Sequence, residues 1–418
     1  MAILRFGTRN KDTMQGTDEG ERFAGFEGDD TINAGGGNDV VTGGEGDDTI
    51  DGGAGDDEIH GGLDNDIIDG GDGNDTLFGD EGNDTFKARY GCDHYDGGTG
   101  TDTVDHSMAR AFYSYRTGET SGVSVNLEAG VDNHGSTYVS VENLIGSAYR
   151  DFLTGNGDGN VIDGGGGNDV MFGGGGRDTL NGGEGHDEIH GGIGGDTING
   201  GTGDDKLFGD EGNDTFIRSS GADAMDGGAG IDTVDYSSTR TRAYINQPPP
   251  DYQPGASIDL DRGIGGLAAA GDTYVSIENV IGTAIDDTIT GSKADNVLDG
   301  SNGNDVISGG YGNDTIIGGL GNDTMLGDAG ADTFLFRAPT STTGGIYPQV
   351  GKDAIKDFEL GADQLTFKGF SNGQVHMEAV DGGTLVWVTG DDGAQSDLVL
   401  VSGISAADLI SHNDISLI

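Results

Sequence analysis

From Ala34 to Lys87 a large apolar residue stands at every ninth position: Val41, Ile50, Ile59, Ile68, Leu77 and Phe86. Cut in nines, the stretch reads AGGGNDVVT, GGEGDDTID, GGAGDDEIH, GGLDNDIID, GGDGNDTLF and GDEGNDTFK. Glycine reaches positive φ without a Cβ penalty, and aspartate holds turns by local hydrogen bonds, so the first six residues of each nine predict a turn. The last three predict a short strand whose middle side chain faces one way and whose neighbours face the other. Two nines then make one coil, turn–strand–turn–strand. Stacked coils build two parallel sheets with the apolar residues between them.

The same phase runs through 26 units: ten in 16–105, ten in 146–235 and six in 282–335. Position eight is large and apolar in all 26, and position six is Asp in 23, the exceptions being Glu21, Asn160 and Asn296. Glycine-rich acidic composition alone would suggest a disordered linker, but a linker has no reason to keep this register. The predicted fold is all-β, a parallel β-roll in three blocks. Residues 1–105 are a short lead and the first roll, 146–235 the second roll and 282–335 the third. Spacers at 106–145 and 236–281 break the period and carry strand-like runs, Val123–Leu127 and Tyr138–Ile145 in the first, Ser257–Leu260 and Tyr274–Ile281 in the second. Pro248–Pro250 predicts a stiff exposed loop. The second and third rolls each open with two poor nines, such as GSAYRDFLT and GNGDGNVID, which suit an opening cap with one unpaired face. In 336–418 glycine thins, and apolar runs predict four or five strands forming a C-terminal β-rich cap.

Position six carries the candidate chemistry. Stacking brings its carboxylates to roughly 4.8 Å along each edge, where two unit charges repel by about 0.9 kcal/mol even in water. Over ten nonapeptides the repulsion is roughly 7 kcal/mol, comparable with the ~5–15 kcal/mol stability of a whole domain. A hard cation reverses that sign. Calcium takes six to eight oxygens from carboxylates and carbonyls, whereas magnesium demands a strict octahedron and keeps its waters. The candidate ligands are Asp30, Asp39, Asp48, Asp57, Asp66, Asp75, Asp84, Asp93 and Asp102 in the first roll. They are Asp169, Asp178, Asp187, Asp196, Asp205, Asp214, Asp223 and Asp232 in the second, and Asp305, Asp314, Asp323 and Asp332 in the third. With sharing between neighbouring turns, on the order of 15–20 ions are expected.

The nonapeptide G-G-x-G-x-D-x-U-x resembles the repeat of the RTX (repeats-in-toxin) calcium-binding family, over 16–335 apart from the spacers. The resemblance implies a right-handed roll, multiple calcium ions and an extracellular location reached from a Gram-negative cell through type I secretion machinery. KDAIKDFELGADQLTFKGF is similar to the segment after the repeats in secreted RTX proteases. Asp414-Ile415-Ser416-Leu417-Ile418 is similar to the uncleaved C-terminal signal of type I substrates. RTX enzymes carry a separate catalytic domain, usually ahead of the repeats. Only about 15 residues precede the repeats here, so the expectation is the repeat and secretion part without an enzyme.

Charge and composition narrow the partners. Lys+Arg 20 against Asp+Glu 74 gives −54, which excludes nucleic acid and anionic membranes as charge-driven partners. Hydrophobic content is 33% and glycine numbers 85 of 418, so cores are thin and the metal-free chain is expected to be largely unfolded. Cys92 is the only cysteine, leaving no intrachain disulfide. The N-terminus lacks the apolar stretch of a signal peptide, and no run of about 20 apolar residues spans a membrane.

Catalytic patterns are superficial. His186-Asp187-Glu188-Ile189-His190 lies on a turn and strand, not on the helix that a zinc protease motif needs. Gly369-Phe370-Ser371-Asn372-Gly373 matches a nucleophile elbow, but no helical pattern follows it and His376 is too near in sequence. The chain is read as a non-catalytic calcium binder. A second reading takes Phe112, Tyr113, Tyr115, Tyr244 and Tyr252, beside Arg110, Arg116, Arg240 and Arg242, as a binding surface for cell-surface or extracellular polysaccharide.

Overall fold

The computed structural model describes residues 3–109, 112–113, 120–237, 255–267, 269–338, 351–370, 373–390, 395–396 and 398–418. Eighteen residues make one coil. In one sheet Ile32 pairs with Ile50, Ile50 with Ile68 and Ile68 with Phe86, all in parallel. In the other, Val41 pairs with Ile59, Ile59 with Leu77 and Leu77 with Tyr95. These side chains meet between the sheets and are at most 1% exposed. Burying each stabilises by about 2 kcal/mol. The fold class expected from the nine-residue phase is the one observed.

The chain divides into two compact units, 1–212 and 213–418. In the first, residues read as a lead already belong to the coils: Ile3–Phe6 pairs with Glu21–Glu27, and Thr13–Thr17 with Thr31–Gly35. The spacer also joins the stack. Thr137–Val139 adds to His94–Asp96 and Asn143–Ile145 to Thr103–Asp105, in opposite sheets. The run Tyr138–Ile145 is therefore two strands, because Ser140 takes φ +48° and turns a corner between them. Ser124–Asn126 starts the next stack by pairing with Phe152–Thr154.

The second unit repeats the device. Thr273–Val275 and Asn279–Ile281 complete one coil around Ser276 at φ +51°, and Ala256–Asp259 opens the next against Thr288–Thr290. The C-terminal region continues both sheets. Lys352–Ile355 pairs with Thr324–Leu326, and Gln364–Lys368 with Thr333–Arg337. An antiparallel meander of Gln374–Val380, Gly383–Thr389 and Leu398–Ser402 joins one sheet. The sequence pattern missed the strand Gln374–Val380 and the helix Ala406–His412, which Ser405 caps by accepting from Asp408 N–H. Ile415–Leu417 adds to Gln364–Lys368 as a terminal strand. Pro248–Pro250, and Ser371 and Asn372 of the elbow pattern, lie outside the described residues.

Candidate metal centres

Within a roll, a sixth-position residue donates its backbone N–H to the side-chain oxygen of the sixth-position residue one coil later, until the roll's last coil. On one edge of the first roll Asp30 donates to Asp48 at 2.7 Å, Asp48 to Asp66 at 2.8 Å, Asp66 to Asp84 at 2.8 Å and Asp84 to Asp102 at 2.8 Å. The other edge runs Asp39, Asp57, Asp75, Asp93. Asp169 to Asp187 and Asp305 to Asp323 repeat the bond at 2.7 and 2.8 Å. Every aspartate expected as a ligand is buried.

The second carboxylate oxygen behaves differently. Oδ2 of Asp30, Asp39, Asp48, Asp57, Asp66, Asp75, Asp84 and Asp102 is buried with no hydrogen-bond partner. The same holds for Asp169, Asp178, Asp187 and Asp232, and for Asp305, Asp314 and Asp332. In all of these turns position two is left-handed. It is usually glycine, such as Gly44 at φ +133° and Gly62 at +125°, but Phe26 at +86°, Asp80 at +72°, Ser301 at +70° and Asp328 at +62° adopt it too. That conformation rotates the position-two N–H off the carboxylate. Asp196, Asp205, Asp214 and Asp323 occupy equivalent buried positions after Gly192, Gly201, Asp210 and Gly319, all left-handed.

The bare oxygens face other oxygens. A Cβ placed on Gly52 would lie 2.5 Å from Asp57 Oδ2 and 2.6 Å from the carbonyl of Gly70, one coil on. At Gly164 the same two distances, to Asp169 Oδ2 and Gly182 O, are both 2.5 Å. Glycine stands at this position in all of these turns except that of Asp39, where it is Ala34, and a Cβ at Gly52 or Gly164 would crowd the two acceptors. Burial, aided by neighbouring carboxylates, pushes the carboxyl of Asp57 up to about 7 and those of Asp66, Asp169 and Asp305 up to about 8. Among the described residues no three His, Cys, Asp or Glu side chains gather as a metal cluster. A hard cation would therefore draw its oxygens from carbonyls plus one or two carboxylates, a donor set that suits calcium.

Other turns supply the contrast. At Asn160 an amide nitrogen replaces the bare oxygen and donates to Glu142 O at 2.7 Å, and Asn296 donates to Glu278 O at the same distance. Asp151 and Asp287 accept from the backbone and hydroxyl of Ser147 and Thr283. Glu21 accepts from Arg5 and from Thr17 N–H, and both interactions hold it below the usual carboxylate range. Two expected ligands also differ: Asp93 Oδ2 accepts Tyr95 OH at 3.0 Å, and Asp223 Oδ2 accepts Ser219 Oγ at 2.7 Å. Sequence reasoning missed the acceptors that end each ladder. Glu142 and Glu278 take the N–H of Asp102 and Asp232, Ser136 and Asp272 those of Asp93 and Asp223, and Asp353 and Asp363 those of Asp323 and Asp332. Their offset from the nine-residue phase hid them.

His186 and His190 make separate contacts. His190 stacks between Phe172 and Phe208 with ring centroids 4.9 and 4.5 Å away, while His186 Nδ1 accepts Asp204 N–H at 2.7 Å. Cys92 is exposed, and its Sγ lies 3.1 Å from His134 O. Of the aromatic and basic spacer residues, Tyr115, Tyr244, Tyr252, Arg110, Arg116, Arg240 and Arg242 lie outside the described residues. Phe112–Tyr113 is a short strand paired with Thr120–Ser121. No described helix is long and apolar enough to cross a membrane.

A family profile described as the RTX calcium-binding nonapeptide repeat (4 copies) matches overlapping segments that together span 6–104, 145–234 and 281–334. Among solved structures, the solution structure of the AlgE6R3 subunit from the Azotobacter vinelandii mannuronan C5-epimerase is similar at 27% identity, covering 31% of this chain and 77% of that one, TM-score 0.23. The crystal structure of the extracellular lipase LipA from Serratia marcescens is similar at 19% identity, covering 56% of this chain and 40% of that one, TM-score 0.24. No curated protein matches.

Proposed function

Because the chain belongs to the RTX calcium-binding nonapeptide repeat family, we propose that it is a secreted, non-catalytic protein whose rolls fold when calcium binds outside the cell. The observation that carries this reading is the division at position six. Carboxylates behind a left-handed position two keep a buried, unpartnered oxygen, whereas Asn160 and Asn296 satisfy the same place with an amide donor. The proposed ligands are the sixth-position aspartates that follow a left-handed residue, together with position-one carbonyls such as Gly70 O and Gly182 O. Bound calcium supplies positive charge that offsets the carboxylate repulsion. The left-handed residues hold the turn open, and the N–H of the preceding coil fixes Oδ1 and leaves Oδ2 to the ion.

In a calcium-poor cytosol the charge at these turns keeps the chain unfolded and able to thread an export channel. The terminal Asp414–Ile418 serves the type I machinery. Millimolar calcium outside then closes the coils, with affinities near 10⁻⁴–10⁻³ M as in extracellular modules. Circular dichroism and calorimetry during a calcium titration, with bound metal counted by equilibrium dialysis, test the proposal. The expected result is no cooperative melt in chelator and a cooperative β melt in millimolar calcium. A chelated protein that already melts cooperatively at neutral pH refutes it.

A further inference from the structure

The turns of Asp93, Asp223 and Asp363, late in a roll or just beyond it, have no bare oxygen, and six further closed turns come in pairs where a roll begins. They are Thr8–Asp12 and Thr17–Glu21, Ser147–Asp151 and Asn156–Asn160, Thr283–Asp287 and Ser292–Asn296. In each, the position-two N–H donates to the sixth side chain of the same turn, at 2.5, 2.9, 2.5, 2.8, 2.7 and 2.7 Å in that order. Hydroxyls add a second bond: Thr8 Oγ1 to Asp12 at 2.8 Å, Ser147 Oγ to Asp151 at 2.9 Å and Thr283 Oγ1 to Asp287 at 2.8 Å. None of the six position-two residues is left-handed. We infer that these starter coils need no metal, and that Thr8, Ser147 and Thr283 are positioning residues from which calcium-driven closure of each roll proceeds toward the C-terminus. The inference rests on the proposed calcium-driven folding.

The direction follows from the polarity of the ladder. Each bare carboxylate is aimed by an N–H in the coil before it, never by one in the coil after. The first donors all belong to starter coils. Asp12 donates to Asp30 at 2.7 Å and Glu21 to Asp39 at 2.6 Å. Asp151 donates to Asp169 at 2.8 Å and Asn160 to Asp178 at 2.7 Å. Asp287 donates to Asp305 at 2.7 Å and Asn296 to Asp314 at 2.8 Å. A calcium-binding turn with no ordered coil ahead of it lacks this donor, so its carboxylate is free to rotate and must be ordered by the metal alone. A turn behind a starter coil is aimed before metal arrives.

The same geometry gives the spacers a task. Val123 N–H reaches Asp151 Oδ1 at 2.6 Å and Ala256 N–H reaches Asp287 Oδ1 at 2.6 Å. The strands inserted ahead of the second and third rolls thereby supply the donor that a preceding coil would have supplied. They restart the ladder and do more than separate the rolls.

Hydrogen exchange on the full chain at stepped, sub-saturating calcium tests this. Protection is expected first at the amides of Asp151, Asn160, Asp287 and Asn296, spreading to higher residue numbers as calcium rises. Thr283→Ala removes one hydrogen bond to a carboxylate. It is expected to raise the calcium midpoint for amides 305–334 about tenfold, to leave the ions bound at saturation unchanged, and to be rescued by Thr283→Ser. Protection that appears first at Asp323–Asp332, or everywhere at once, overturns the inference while calcium binding stands. A Thr283→Ala midpoint equal to wild type also overturns it. Absence of bound calcium at saturation overturns both the calcium reading and this one.

Discussion

Asp66→Asn separates the two jobs of a sixth-position carboxylate. Its Oδ1 accepts Asp48 N–H and its own N–H donates to Asp84, both at 2.8 Å, and asparagine keeps each bond. What changes is Oδ2, which is buried without a partner. Burial, opposed by the hydrogen bond from Asp48 and reinforced by the charges of Asp48 and Asp84, pushes this carboxyl up to about 8. Without metal at pH 7, the folded chain must hold a proton that the unfolded chain has lost, which costs about 4 kcal/mol. Water at the rim of the coil screens part of that, leaving about 2 kcal/mol. Asparagine removes the cost and brings a donor, like the one that finds a carbonyl at 2.7 Å from Asn160. Asp66→Asn is therefore expected to stabilise the chelated fold by about 2 kcal/mol, roughly thirtyfold in the folding equilibrium. In saturating calcium it is expected to destabilise and to lose one or two bound ions. Circular dichroism follows the folding of the chelated chain by a protecting osmolyte such as TMAO and its urea unfolding in calcium, and with ions counted by dialysis these measure all of this. A loss of stability of equal size in both conditions would mean that the carboxylate is only a hydrogen-bond acceptor, and would refute the reasoning.

Acidification should partly replace calcium. The folded-state carboxyls of Asp57, Asp66, Asp169 and Asp305 are raised to about 7–8, so between about pH 4 and pH 8 the folded chain binds more protons than the unfolded one and its stability falls as pH rises. The chelated protein is expected to gain β signal by circular dichroism when taken from pH 8 to pH 5, and no gain contradicts the assignment. Gly62→Ala places a Cβ against Gly44 O at a left-handed position, φ +125°. It should lower the calcium-loaded melting midpoint by the equivalent of more than about 2 kcal/mol. Ser301→Gly relieves a left-handed serine at φ +70° and should raise the midpoint, by about 1 kcal/mol. Ile189→Ala empties a fully buried site between the sheets and should cost about 3 kcal/mol in calcium, read from urea midpoints.

The nine-residue phase made the coils legible because its signals are local. A three-residue strand needs only one apolar side chain between two outward ones, and a glycine-rich turn needs only permissive φ. That is why Ile50, Ile59, Leu77 and their equivalents were found between the sheets, and why the rows of sixth-position aspartates along the edges were foreseeable from sequence, though not their burial. The starter turns were half legible. Thr283 and Asp287 stand four apart as a serine or threonine hydroxyl and its acceptor should, yet without a structure they read only as poor repeats.

Sequence alone determined the repeat length, the parallel stacking of coils and the row of carboxylates that must be neutralised, since each follows from chemistry within nine or eighteen residues. Tertiary structure decided which carboxylates remain bare. The left-handed backbone at Phe26, Asp80, Ser301 and Asp328 is imposed on residues that ordinarily avoid it. The partners of Asp102 and Asp232 come from Glu142 and Glu278, 40 and 46 residues away. Whether an oxygen meets a donor depends on the coil stacked beside it, and that neighbour is fixed only when distant segments pack together.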